Sequence, residues 1–378
     1  MNHPIPPEAG NSMTKMLTTQ TYRDKKKIGE ILEMIRKRSS KKIRLMEVCG
    51  GHTMAIHKFG IPGLLPKNVI LKSGPGCPVC VSDQKFIDRA IAIARKEDVI
   101  LTTFGDLIRV PGSTSSLEKE RAKGCDIRIV YSSLDALKIA RQNPEKRVVF
   151  LGIGFETTAP TSAATILKAS KSKIDNFCLL SAHKIMPPAM EALAFDGIRI
   201  DGFIGPGHVS TITGSGIYQI LADNHGIGCV ISGFEPVDIL QSILMLINQK
   251  EQGEPKVEIE YSRAVKPKGN EKAQRIMEEV FYLSDDCWRG FGDIPMSGLK
   301  IRKKYARWDA EKVLHVTVEK TRYKKGCICG EVLKGKKSPT ECRLFKSACT
   351  PATPIGACMV SSEGACHAHY LYGNGKLL

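Results

Sequence analysis

Short β-branched or apolar runs alternate along this chain with amphipathic stretches, at intervals of about twenty-five to thirty residues. The first four are Ile43 to Val48, Val69 to Leu71, Val99 to Phe104 and Ile127 to Tyr131. Each is followed by glycine or polar residues and then by a helical pattern, which is the βα alternation of a parallel sheet with helices on its faces. The rhythm restarts at Arg147, with Val148 to Ile153, Phe177 to Leu180, Gly202 to Ile204 and Cys229 to Ile231. Two sets of four predict an α/β protein with two similar parallel-sheet domains facing a cleft, at 43–146 and 147–250. Before them, residues 1–20 read as a disordered tail and 21–42 as a helix with Ile28, Ile31, Leu32 and Ile35 on one face, able to pack on a third domain. Residues 249–270 break the rhythm and read as a linker. The third domain, within 251–378, is rich in cysteine.

Composition narrows the class. A chain of 378 residues has ample core for two or three domains without covalent staples. No apolar run approaches the ~20 residues that span a bilayer, so a soluble protein is expected, with no membrane partner. A cytoplasmic location is expected too, because thirteen cysteines in a long chain without a secretory leader suit metal or redox chemistry better than a disulfide scaffold. The net charge is +17, and Lys300 to Lys325 holds ten Lys/Arg against three acids. Few aromatics and no nucleic-acid motif accompany that charge, so a solvated basic face or an acidic protein partner is expected instead of nucleic acid.

Ligands of open parallel sheets bind beyond the carboxyl ends of the strands. Cys49, His52, Cys77, Cys80, Asp106, Glu156, His183, His208 and Glu235 all fall there. Asp106 or Glu235 would equally serve as a helix cap, and His183 or His208 as a satisfied loop histidine. Cys49 lies in Val-Cys-Gly-Gly-His-Thr, where glycines permit close backbone approach and amide N–H groups favour a thiolate. A soft thiolate suits a transition metal such as iron. Cys77 and Cys80 form Cys-Pro-Val-Cys, the spacing of a reducible disulfide or of a metal chelate, and a redox pair doubling as iron ligands is the preferred reading.

Cys342, Cys349, Cys358 and Cys366 are separated by six, eight and seven residues in a stretch rich in Thr, Pro, Gly and Ser. Irregular loops with four thiolates suit an iron-sulfur cluster, and the spacing matches neither a zinc ribbon nor a bacterial ferredoxin. Zinc stays open as an alternative. Cys327 and Cys329, just upstream, supply alternative ligands or a second thiol pair.

Four motifs in one order carry a resemblance: Met46-Glu-Val-Cys-Gly-Gly-His-Thr53, Ser73-Gly-Pro-Gly-Cys-Pro-Val-Cys80, Gly152-Ile-Gly-Phe-Glu-Thr-Thr158, and Cys349-Thr-Pro through Cys358-Met-Val-Ser-Ser-Glu-Gly-Ala-Cys366. Together they resemble the HypD family of hydrogenase maturation proteins, from about Lys27 to Tyr370. The resemblance implies a scaffold on which the Fe(CN)2CO unit of NiFe hydrogenases is assembled, with the small chaperone HypC and the cyanide donor HypE, itself charged through HypF. It implies iron at Cys49, a functional thiol pair at Cys77 and Cys80, and a 4Fe-4S cluster on Cys342, Cys349, Cys358 and Cys366. The iron would carry the CN and CO ligands, and His52, three residues beyond Cys49, would ligate or tune the same site. Two other readings stay open: an iron-sulfur-dependent disulfide reductase acting on a protein partner, and a basic nucleic-acid-binding protein with structural zinc.

Overall fold

The computed structural model describes residues 19–195 and 197–373. All eight expected runs are strands: β1 (Ile43–Glu47), β2 (Val69–Ser73), β3 (Val99–Thr103), β4 (Ile127–Ile129), β5 (Arg147–Gly154), β6 (Phe177–His183), β7 (Gly202–Pro206) and β8 (Gly228–Ser232). They form two parallel sheets, but not one sheet per set of four. The first sheet runs β2-β1-β7-β8-β9 and the second β4-β3-β5-β6. Of the eight expected strands each sheet therefore takes two from each set of four, and the expected boundary between residues 146 and 147 falls between strands of one sheet, where β3 pairs with β5. Periodicity reports that a segment is a strand and which residues share a face; it carries no information on which distant strand becomes the neighbour. β9 (Val257–Ile259) lies inside the expected linker and pairs in parallel with β8, so 249–270 is partly sheet.

Side-chain alternation divides the core into layers. In β1, Ile43 and Leu45 join the apolar cluster of Ile31, Leu32, Ile35, Ile243 and Leu246 on the outer face, while Met46 and Val48 join a central cluster. In β5, Val148 and Phe150 face the other outer cluster, and Val149, Leu151 and Ile153 the central one. Both sheets thus contribute to one shared interior. Each fully buried aliphatic side chain there contributes about 1.5–3 kcal/mol.

The helices that matter for the site are α1 (Lys25–Arg38), α2 (Gly50–Lys58), α3 (Pro78–Val81), α4 (Gln84–Ala94), α5 (Ala159–Lys171), α6 (Pro236–Gln252), α7 (Ala357–Val360) and α8 (Ala365–Tyr372). α1 lies along α6, where Arg38 donates to Asn248 at 2.9 Å and Ser40 to Glu251, so it covers the first sheet, and Tyr22 just before it lies under the Arg263 guanidinium. Of the tail expected over 1–20, only Thr19 and Gln20 are described, at the start of a 3-10 turn through Arg23; the rest lies outside the described residues.

Beyond the sheets, β10 (Phe281–Trp288) and β11 (Gly292–Ile301) form an antiparallel hairpin. Its buried Trp288 stacks on Phe155 at 5.9 Å and donates its indole N–H to Ser297. The chain after the hairpin is mostly irregular, yet Cys358, Met359, Val360 and Cys366 enter the central cluster shared by the two sheets. Among the described residues no helix is long and apolar enough to cross a membrane.

Candidate functional site

Cys49 follows β1 and is the N-cap of α2, with extended backbone (φ −143°). The local geometry is fixed by Glu47, whose carboxyl accepts the Cys49 N–H at 3.1 Å and the Thr53 hydroxyl at 2.6 Å. The loop after the neighbouring β2 presses on the same point: Gly50 N–H donates to Gly76 O at 3.0 Å, and a Cβ at Gly76 would overlap the Cys49 backbone. Residue 76 therefore has to be glycine. Immediately after it, Cys77 caps α3, its sulfur accepting the Cys80 N–H at 3.2 Å. Adjacent parallel strands thus deliver Cys49 and the Cys-Pro-Val-Cys turn side by side, as expected of strand carboxyl ends. Cys77 and Cys80 are joined as a disulfide, with Cα atoms 5.2 Å apart.

Electrostatics at Cys49 favour the neutral thiol in the absence of a metal. Burial pushes it up to about 12, the charge of Glu363 adds to the rise, and the backbone N–H groups of His52 and Gly51 work against it. A cation bound at the sulfur would reverse that balance. Glu363 has no sequence signature of its own, since the Ser-Ser-Glu-Gly-Ala stretch stands out only for its flanking cysteines. Its side chain packs on Gly50 so closely that a Cβ there would overlap it. Burial and the neighbouring charge of Asp106 raise its carboxyl, and Asp106 itself accepts the Ser361 hydroxyl at 2.7 Å. Asp106 is thus close to Glu363 and the start of α2.

The other strand-end residues go elsewhere. His52 is buried, and its Nε2 faces the carbonyls of Gly233 (2.9 Å) and Ser232 (3.2 Å), which assigns the proton to Nε2. Its Nδ1 has no hydrogen-bond partner among the described residues, and burial lowers the ring to about 4. The ring stacks on Phe234 at 4.4 Å, and exposed His208 stacks on the same phenyl at 4.0 Å. Glu235 caps α6 and pairs with Arg23 at the surface. His183 bonds Ser162 at 2.8 Å, and Glu156 accepts the Met186 N–H at 3.0 Å, with burial raising its carboxyl to about 7. The structure therefore groups Cys49, Cys77, Cys80, Asp106 and Glu363, and separately His52 and His208 around Phe234.

The C-terminal thiols lie against the first group. Cys327 and Cys329 sulfurs are 3.1 Å apart, and Cys329 also meets the thiols of Cys358 and Cys366. A Cβ at Gly356 would overlap the Cys329 sulfur and press on that of Cys327, so a glycine is required there too. Cys349 accepts the Ile355 N–H at 3.3 Å, and Cys342 stands 3.9 Å from the carbonyl of Gly326, beside Cys327. Hydrogen bonds from Cys329 and Cys358 pull the Cys366 thiol down to about 5, while the bond to Cys329 raises Cys358. On the other side, the Cys80 sulfur is 3.9 Å from the carbonyl of Ala357. Among the described residues no three His, Cys, Asp or Glu side chains are arranged as a ready-made site for one metal ion. The thiols of Cys327, Cys329, Cys358 and Cys366 meet, with Cys349 near them and Cys342 beside Gly326, and thiolates are the donor type of a multi-iron cluster, whose four attach at separate irons. Of the remaining cysteines, Cys178 and Cys229 are buried in β6 and β8, and Cys125 and Cys287 are partly exposed.

Residues 26–373 match the family model described as HypD, hydrogenase formation hypA family. The chain is 46% identical over 363 residues to hydrogenase maturation factor HypD2 of Bradyrhizobium diazoefficiens, covering 93% of this chain and 96% of the relative. It is 46% identical over 351 residues to a putative hydrogenase expression/formation protein of Methanocaldococcus jannaschii, covering 92% and 98%. It is 44% identical over 360 residues to hydrogenase maturation factor HypD of Escherichia coli, covering 93% and 96%.

Proposed function

The chain belongs to the HypD family of hydrogenase maturation factors, and from that premise we propose that it is the scaffold and redox protein on which the Fe(CN)2CO unit of NiFe hydrogenases is assembled. HypC and HypE would be its partners, HypE bringing cyanide from HypF, and a reducing cytoplasm its compartment. The observation that carries this reading is the meeting, at the ends of β1 and β2, of a lone thiol with the Cys77 and Cys80 pair, whose far side lies 3.9 Å from the carbonyl of Ala357, the neighbour of Cys358 in the cysteine-rich segment. A lone soft thiolate is a cargo site for iron, and the pair beside it is a two-electron source.

Electron counting gives the pair its role. Moving cyanide from a thiocyanate on HypE to iron leaves the donor sulfur as a thiol, which takes two electrons. The Cys77 and Cys80 dithiol supplies them by closing its disulfide: RSCN plus two thiols gives RSH, iron-bound CN⁻, one proton and the disulfide. The disulfide is the product state of that step. Asp106 and Glu363, beside the start of α2, would order the site, and His52, held neutral against the β8 carbonyls, would support α2 with Nδ1 still able to accept a bond.

Returning the pair to dithiol requires one-electron equivalents in pairs, which is what a 4Fe-4S cluster supplies. The residues fit such a group, with six thiols for four positions. The sequence selects Cys342, Cys349, Cys358 and Cys366. The contact between the Ala357 carbonyl and the Cys80 sulfur favours giving Cys358, the next residue, to the relay with Cys329, and Cys327 to the cluster in its place. Thiol counting tests the central step. Anaerobic mixing of reduced protein with cyanated HypE should remove two alkylatable thiols, counted on this chain after its separation from HypE, from the wild type and none from Cys80→Ser; an unchanged count on the wild-type chain would refute the electron assignment.

A further inference from the structure

The charge that the proposed function leaves unused is concentrated on the thiol-bearing segment. Residues 320–346 hold nine Lys/Arg and two acids. Lys320, Arg322, Lys325, Arg343 and Lys346 are exposed, so the charge faces solvent. Within this segment a cavity of about 290 Å³ opens to Cys327 and Cys329, and Arg289, Tyr323, Lys324 and Gly356 help to line it. Arg289 is anchored by its Nε to Ser82 O and by Nη1 to Gln84, both at 2.9 Å, while its buried Nη2 has no hydrogen-bond partner among the described residues. A cation is thus held beside two sulfurs that a docked molecule can approach from outside.

We propose that this basic face is the docking surface for an acidic one-electron carrier protein, which delivers reducing equivalents over the Cys327 and Cys329 cavity. The inference rests on the reading that these thiols belong to or adjoin a cluster. Each encounter would oxidise the carrier by one electron, which the cluster held by these thiols would take up. Two encounters, with two protons from solvent, reopen the Cys77 and Cys80 disulfide. Charge complementarity explains why Arg289 and Lys324 line the cavity at the two sulfurs within a basic segment, since steering by opposite charge raises the encounter rate and falls with salt. A polyanionic nucleic acid would have no use for the cavity or its sulfurs.

The test is anaerobic stopped-flow reduction of the holoprotein by a reduced acidic [2Fe-2S] ferredoxin, with methyl viologen radical as the small-molecule comparison. Between about 20 and 300 mM salt, the ferredoxin rate should fall at least about tenfold. At low salt, the triple variant Lys320→Glu, Arg322→Glu, Lys325→Glu should lose a similar factor. The matched reversal Lys26→Glu, Lys27→Glu, Lys37→Glu on α1 should stay within about twofold, and viologen should reduce all three proteins alike. A salt-insensitive ferredoxin rate, or equal losses in both triple variants, would overturn the docking surface. So would tight binding of a single-stranded oligonucleotide at physiological salt that only the first triple variant loses. Absence of any band bleached by viologen would sink the cluster reading itself, and the docking claim with it.

Discussion

Burial decides the protonation of residues that a sequence offers only as candidates. His183 illustrates this: it ends β6 among the strand-end residues, but its ring is held by Ser162 and burial lowers its pKa to about 4. A histidine depressed in the folded state stabilises the protein fully above its unfolded pKa near 6.5, and that contribution is lost as pH falls toward 4. At pH 4.5 the loss from this one ring is about 2.5 kcal/mol. Urea unfolding at pH 7 and at pH 4.5 should therefore show a smaller acid loss for His183→Gln than for the wild type; equal losses would place the acid sensitivity elsewhere. At this scale the cysteines were legible because their chemistry is tied to residue type. Glu363 was not, because a carboxylate acquires significance only through the partner that packs on it, here Gly50 at the start of α2.

Elements were legible wherever one periodicity dominated. Eight strands were read from β-branched runs, and α1 from Ile31, Leu32 and Ile35, all buried. Pairing was not, since β1 chooses β7 far along the chain through register contacts such as Leu45 with Gly202. β9 was hidden because three half-buried residues, Val-Glu-Ile, give too short an alternation to separate from a loop. The irregular thiol segment is the hardest case: spacing along the chain does not say which sulfurs meet when no regular element sets the geometry. The contacts of Cys329 and of Ala357 give a definite expectation there. The charge-transfer absorption of anaerobically reconstituted protein should be lost in Cys327→Ser and survive in Cys358→Ser. The reverse pattern would restore the set Cys342, Cys349, Cys358 and Cys366, and zinc without acid-labile sulfide would remove the cluster.

For the whole molecule, the two sheets close on one interior, and the cysteine-bearing C-terminal segment is part of that interior rather than an appendage. The arrangement has a functional consequence. The Cys77 and Cys80 turn and the segment that bears Cys327 to Cys366 meet only when strands and C-terminal segment are in place together, so the proposed iron binding, disulfide chemistry and electron entry would depend on one fold. Cys49 is the point at which this account differs from a plain disulfide reductase, which would need Cys77 and Cys80 but no iron on a neighbouring thiol. Infrared spectroscopy of the anaerobically purified complex with HypC tests that difference most directly. The wild type should show the stretching bands of iron-bound cyanide and carbon monoxide, and Cys49→Ala should show neither while keeping its cluster absorption; unchanged bands in Cys49→Ala would contradict the account.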